Sequence, residues 1–158
     1  MENNPHHQHT VPDLHKRLVD ILYSTREQFT KISKPEWDIK TSPEKWSKKE
    51  ILGHLIDSAS NNHQRFVRAQ IEDHLVSPGY EQDLWVKVQN YQDTDIEDII
   101  DLWYKYNLHL SRVIINIREE NLSKICNKGN YEPVTLHYLI EDYITHLKHH
   151  LQQIIPAD

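Results

Sequence analysis

A chain of 158 residues, 37% hydrophobic and 27% charged, is long enough to bury one core and fits a single domain. Its net charge of −6 leaves no basic footprint for nucleic acid or an anionic membrane surface, and no apolar run approaches the roughly 18 residues of a membrane span. Only three glycines occur, which disfavours a turn-rich sheet fold, and the lone cysteine, Cys126, rules out an internal disulfide.

The first ten residues, MENNPHHQHT, lack the charged and then apolar pattern of a signal peptide. With the single cysteine, this points to a reducing cytoplasm. Residues 1–10 read as a disordered arm whose His6, His7 and His9 catch metal only adventitiously, and residues 11–158 read as the domain. A first helix is expected from about Asp13 to Ile32, with Leu14, Leu18, Ile21, Leu22, Phe29 and Ile32 on one side. The stretch KPEWDIKTSPEKW carries two prolines and reads as a connector. Ser47 and Glu50 then form a capping box for a second helix that runs to about His74.

The segment LVSPGYEQDLWVKVQNYQDTD is expected to be a long connection with a Pro-Gly turn, of the kind that forms binding loops or lids. Its Trp85 and Tyr91 read as anchors on the bundle. In the third helix Ile96, Ile99, Trp103, Tyr106, Leu110, Val113 and Ile117 follow a 3-4-3-4 spacing, the seam of a left-handed bundle. A loop through NKGNYEP, with Cys126 as an incidental free thiol before it, leads to a last helix from about Val134 to Ile155. The expected fold is all-α: a four-helix bundle with a long connection between the second and third helices.

Twelve histidines are the one compositional feature with chemistry in it. On a wheel of about 100° per residue, Leu136, Leu139, Ile140, Tyr143, Ile144, Leu147, Leu151 and Ile154 define the apolar face of the last helix. His150 falls inside that face and His146 at its edge, whereas His149 and His137 project elsewhere. A His-x-x-x-His pair puts two imidazoles on one face, close enough to share a cation. The pair alone fits equally a half-buried seam of hydrogen-bonded rings.

In the second helix Ile51, Leu52, Leu55, Ile56, Ala59 and Phe66 form the core side. His54 lies off it, on a polar stripe with Ser58, Asn61, Asn62 and Arg65 that fits a site or a solvated face. Gly53 costs the helix roughly 1 kcal/mol relative to alanine and permits close approach of another helix or a ligand. His63 points to the opposite edge.

The segments KWSKKEILGHLID, PGYEQDLWVKVQNY and LIEDYITHLKHHLQQI, in that order over about residues 11 to 155, resemble the DinB/YfiT-like superfamily. The resemblance implies a four-helix bundle, up-down-down-up, in which one histidine of the second helix and two of the last bind a divalent metal, commonly zinc or nickel. Carried over by position, these are His54, His146 and His150.

Three imidazoles leave a coordination position open to water or substrate. A bound water is lowered toward a neutral pKa, and a bound thiol is held as thiolate. Assigned relatives include S-transferases for low-molecular-weight thiols such as bacillithiol and a mycothiol-dependent isomerase. The resemblance therefore implies a transferase that activates such a thiol toward an electrophile. Asn62 and Arg65, on the His54 stripe, are candidates to orient a polar or carboxylate-bearing small-molecule substrate, beside the more ordinary reading of Arg65 as a surface or salt-bridged arginine. Two rival readings stand beside it: hydrolysis by metal-bound hydroxide, and a non-catalytic metal-binding bundle. Asp142 and Asp57 stand one turn from His146 and His54, within reach of their second ring N–H, although an exposed helical carboxylate is the default reading of both. Resembling proteins often dimerise, so a homodimer is expected, with neither nucleic acid nor membrane as partner.

Overall fold

The computed structural model describes residues 9–155. Four long helices carry the core: α1 (Val11–Phe29), α3 (Lys48–Ile71), α5 (Ile96–Ile115) and α6 (Leu136–Ile154). Their starts are set by side-chain caps that satisfy the first free amides. Thr10 and Asp13 form a capping box for α1, Ser47 and Glu50 one for α3, and the side chains of Asp95 and Thr135 cap α5 and α6. The apolar period then dictates which face is buried. Leu14, Leu18 and Leu22 of α1, Leu52, Leu55 and Phe66 of α3, and Trp103, Leu110 and Ile114 of α5 all enter one core, as does the whole expected face of α6.

Each long helix packs chiefly on two others: α1 and α3 both contact α5 and α6. His15 Nδ1 meets the Ser111 carbonyl at 3.0 Å and Arg26 lies 3.5 Å from Asp101, so α1 and α5 run antiparallel. His9 bonds Glu141 at 2.7 Å at one end of α1, while Ile32 and Ile155 line a common cleft at the other, so α1 and α6 run the same way. Where the helices meet, Phe29 packs edge-on to Trp37 at 5.0 Å and Phe66 edge-on to Tyr143 at 5.8 Å.

The connections hold more structure than expected. The connector before α3 contains α2 (Lys34–Asp38), opened by a Ser33–Glu36 capping box and locked by Trp37, which is 2% exposed. The segment between α3 and α5 is no open loop: it forms β1 (Leu75–Ser77), α4 (Gln82–Gln89) and a 3-10 turn over Tyr91–Asp93. A further strand, β2 (Ile125–Lys128), pairs parallel with β1 and antiparallel with β3 (Val134–Thr135), giving a three-stranded sheet in the order β1-β2-β3. Cys126, expected in a loop, sits fully buried on β2 opposite Leu75. Strands of two to four residues carry too little alternation to be read from sequence.

Gly53 explains how that segment seats on the bundle. The Tyr91 ring lies where a side chain at residue 53 would begin, and its hydroxyl donates to Asp57 Oδ1 at 2.6 Å. Tyr91 is thus the anchor expected; Trp85 is half-buried and packs on Tyr80 at 5.1 Å. His6 and His7 lie outside the described residues. The final two residues of the expected arm are placed: Thr10 caps α1, and His9 contacts Glu141 and His137. Among the described residues, no helix is long and apolar enough to cross a membrane.

Candidate metal centre

Because α3 and α6 pack directly, His54 on one meets His146 and His150 on the other. One nitrogen from each ring lies within 4.8 Å of the other two. His54 Nε2 and His146 Nε2 are 3.3 Å apart. Two ligands of a tetrahedral zinc at Zn–N distances of ~2.0–2.1 Å are separated by about 3.3 Å, so this pair already stands at a shared-cation spacing. The ring centroids are 5.2, 4.8 and 4.5 Å apart, and Trp46 covers His54 at 4.9 Å. His54 is fully buried rather than solvated; His146 and His150 are half-buried.

All three imidazoles are driven toward the neutral form, the form with a lone pair to give. Burial, and then the neighbouring imidazoles, lower His54 from the ordinary histidine value to about 3. Burial and His150 lower His146 to about 4, and burial lowers His150 as well. In the unfolded chain these rings titrate near ~6.5. Between pH 6.5 and pH 4 the unfolded state therefore binds protons that the folded state refuses. Folding stability of the metal-free protein is full above that window and falls as pH drops through it. We expect denaturation midpoints in urea to fall between pH 7 and pH 4.5, and His54→Gln to flatten that slope; an unchanged slope would deny the coupling.

The hydrogen bonds around the rings differ from the sequence expectation. His150 Nδ1 bonds Gln153 Oε1 at 2.9 Å, which holds the proton on Nδ1 and leaves Nε2 free. Asp57 does not serve His54: its Oδ1 accepts from Gln89 Nε2 and Tyr91, while Asp57 Oδ2 and His54 Nδ1 are buried without partners. Asp142 does not bond His146 either, because Lys128 Nζ engages it at 3.1 Å. His149 is exposed, as expected. His137, expected on the solvated side, is instead buried with Nε2 2.7 Å from the His9 carbonyl, because the chain before α1 folds over it. His63 stands apart, beside Tyr106 and His109.

Beside the histidines a polar cleft of about 500 Å³ opens, lined among others by Ser58, Asn62, Arg65, Tyr80, Lys128 and His146. Asn62 and Arg65 are both buried there, so the polar stripe of α3 faces a cavity rather than bulk solvent. Sequence reasoning missed Lys128, Tyr80 and Trp46. The first two reach the cleft only through the sheet and the segment that follows β1. Trp46, one residue before the α3 cap, could have been flagged as an aromatic eight positions from His54.

Three histidines from two facing helices of a bundle stand together beside a polar cleft, a set of donors able to hold a metal ion. The chain belongs to the DinB superfamily, whose sequence model matches residues 18–154. Among solved structures it is similar to YfiT from Bacillus subtilis, described as a probable metal-dependent hydrolase with an unusual four-helix bundle topology. That likeness has 16% identity, a TM-score of 0.83, and coverage of 97% of this chain and 90% of that one. It is also similar to the mycothiol-dependent maleylpyruvate isomerase, at 10% identity and a TM-score of 0.77. There 96% of this chain spans 62% of the other. At these identities the likeness establishes the fold alone. No curated protein matches the chain.

Proposed function

We propose that the protein is a metal-dependent enzyme that joins a low-molecular-weight thiol to an electrophilic small molecule at a divalent cation held by His54, His146 and His150. The observation that carries this reading is the convergence of three neutral imidazoles within 4.8 Å, with no carboxylate among the described residues hydrogen-bonded to any of the three. An all-imidazole set suits zinc or nickel. The donor chemistry fits such an ion: rings that resist protonation at neutral pH offer lone pairs, and His150 is already oriented by Gln153. A divalent cation held there supplies the Lewis acidity that lowers the pKa of a thiol or water in its coordination sphere.

The chain's own residues do the rest. Trp46 and the burial of His54 keep water from one side of the rings, and the cleft admits substrate from the other. Asn62 and Arg65 orient the polar end of the bound molecule. In the transfer the sulfur bonds the electrophilic carbon, the leaving group departs with its electron pair, and the thiol proton passes to solvent. Support for the up-down-down-up arrangement of the bundle comes from the antiparallel α1–α5 and parallel α1–α6 contacts.

Hydrolysis is the second reading, favoured by the description of YfiT. The two separate on one assay. Monochlorobimane consumption by zinc- or nickel-loaded protein is expected to require a thiol such as cysteine and to stop on chelation. Ester hydrolysis by the same loaded protein, with no thiol-dependent conjugation above the uncatalysed rate, would replace transfer with hydrolysis.

A further inference from the structure

The cleft beside the histidines contains a charge that the fold leaves unanswered. Arg65 is 5% exposed, yet it makes no ion pair among the described residues. Its guanidinium contacts are three neutral acceptors at the outer limit of hydrogen bonding: Ser77 Oγ at 3.4 Å, the Pro78 carbonyl at 3.4 Å and Asn62 Oδ1 at 3.5 Å. Asp142 on the same cleft wall favours the Arg65 charge only from a distance, because its carboxylate is paired directly with Lys128 at 3.1 Å. A buried cation without a counter-charge costs several kcal/mol, so folds seldom keep one without a partner. The planar fork of a guanidinium is matched by one chemistry above others, a carboxylate or a phosphate bound through two parallel N–H···O bonds.

We propose that Arg65 is the anion anchor of this cleft, and that the thiol substrate carries a carboxylate which closes the ion pair Arg65 lacks. The inference rests on the functional reading above and gives it a substrate class. A monoanion fits better than a phosphate. Among the described residues Arg65 is the one cation of the cleft without an ion pair, and the carboxylates of Glu81 and Asp83 on its rim repel a second negative charge. The register of α3 also sets a length. Arg65 lies eleven residues beyond His54 on the same helix, roughly 16 Å along the axis, less the reach of its side chain. The carboxylate must therefore stand several bonds from the sulfur, not next to it.

A merely structural Arg65, stapling β1 and Pro78 to α3, would leave ligand charge without effect, and that separates the two roles. In cobalt-loaded protein the near-ultraviolet thiolate-to-metal absorption reports sulfur binding. Mercaptohexanoate and mercaptohexanol share their sulfur and chain and differ in charge. Wild type is expected to bind mercaptohexanoate at least about tenfold more tightly, the ratio that one charge-assisted contact of about 1.4 kcal/mol gives. Mercaptoacetate, too short to span the cleft, is expected to lose that advantage. Arg65→Gln keeps hydrogen-bond donors for Ser77 and Pro78 but not the charge; it should bring mercaptohexanoate down to mercaptohexanol, whose affinity stays the same.

Equal affinities in wild type, or a preference that survives Arg65→Gln, would overturn the anchor while leaving the thiol reading intact. If Arg65→Gln does not fold, judged by circular dichroism, the wild-type pair decides alone. Absence of the thiolate band with every probe would defeat the thiol reading instead. In that event calorimetry with hexanoate, hexanol and inorganic phosphate decides the anchor. Hexanoate binding supports it, and no binding or a preference for phosphate refutes it.

Discussion

His54→Ala is expected to lower the affinity for zinc by at least about 100-fold, whereas His149→Ala leaves it within about twofold. Loss of a group that merely hydrogen-bonds a metal ligand typically costs ~10–100-fold, and a ligand lost from a three-histidine set costs no less. His54 is the one donor that α3 contributes, and its Nε2 is the atom 3.3 Å from His146 Nε2. Without it the site shrinks to an i, i+4 pair on α6. His149 lies one residue from His150 but is exposed and bonded to Gln153. Competition against a chromophoric chelator measures both variants, and tight sites are distinguished there from weak capture by His6 or His7. Because His54 is fully buried, His54→Gln serves as a second, better-filling variant. Equal affinity in wild type and both His54 variants would place the metal elsewhere.

Gly53→Ala should destabilise the protein by about 2 kcal/mol, although alanine is the better helix former. The helix gains roughly 1 kcal/mol from the exchange. Against that gain, the new methyl would lie 2.2 Å from Tyr91 Cδ2 and 2.4 Å from Cγ, so the whole ring must leave its seat. Overpacking of this kind costs ~1–3 kcal/mol. Ring displacement also breaks the 2.6 Å bond from Tyr91 to Asp57, a carboxyl with one oxygen already unpartnered. For a domain of this size a melting point lower by about 4–8 °C follows. The background decides the cause: in Tyr91→Ala protein the same exchange should become stabilising, since the clash is gone and the propensity gain remains. A loss of stability in both backgrounds would contradict the account of Gly53.

The four long helices were legible because each carries several turns of apolar period and a local cap. The seam through Ile96, Ile99, Trp103 and Leu110, and the face from Leu136 to Ile154, are buried as their spacing dictates. Helix ends moved by a few residues, α1 stopping at Phe29 and α3 at Ile71. Helix α2, helix α4 and the sheet were not legible, since elements of two to eight residues are fixed by what they pack on and not by a period of their own. The same cause separates the placements that were legible around the histidines from those that were not.

The wheel brought His146 and His150 to the α6 seam. His54 stood between a site and a solvated face until the family resemblance chose, and the structure buries it against both partners. His137 was misread because the residue that covers it, His9, is 128 positions away. Asp57 is neither the exposed carboxylate of the default reading nor a partner of His54, because Tyr91 and Gln89 claim it from beyond α3. Arg65 gave no sign of burial in sequence; Ser77 and Pro78, beside the unforeseen sheet, enclose it.

The three-histidine centre is tested most directly by X-ray absorption at the zinc edge of the loaded protein. One zinc per chain is expected, with three imidazole nitrogens at ~2.0–2.1 Å and a further, exchangeable light-atom ligand. That ligand gives way to sulfur at ~2.3 Å when a thiol is added. In His150→Ala the imidazole count should fall to two. Four imidazoles, or a count that His150→Ala leaves unchanged, would contradict the centre as described.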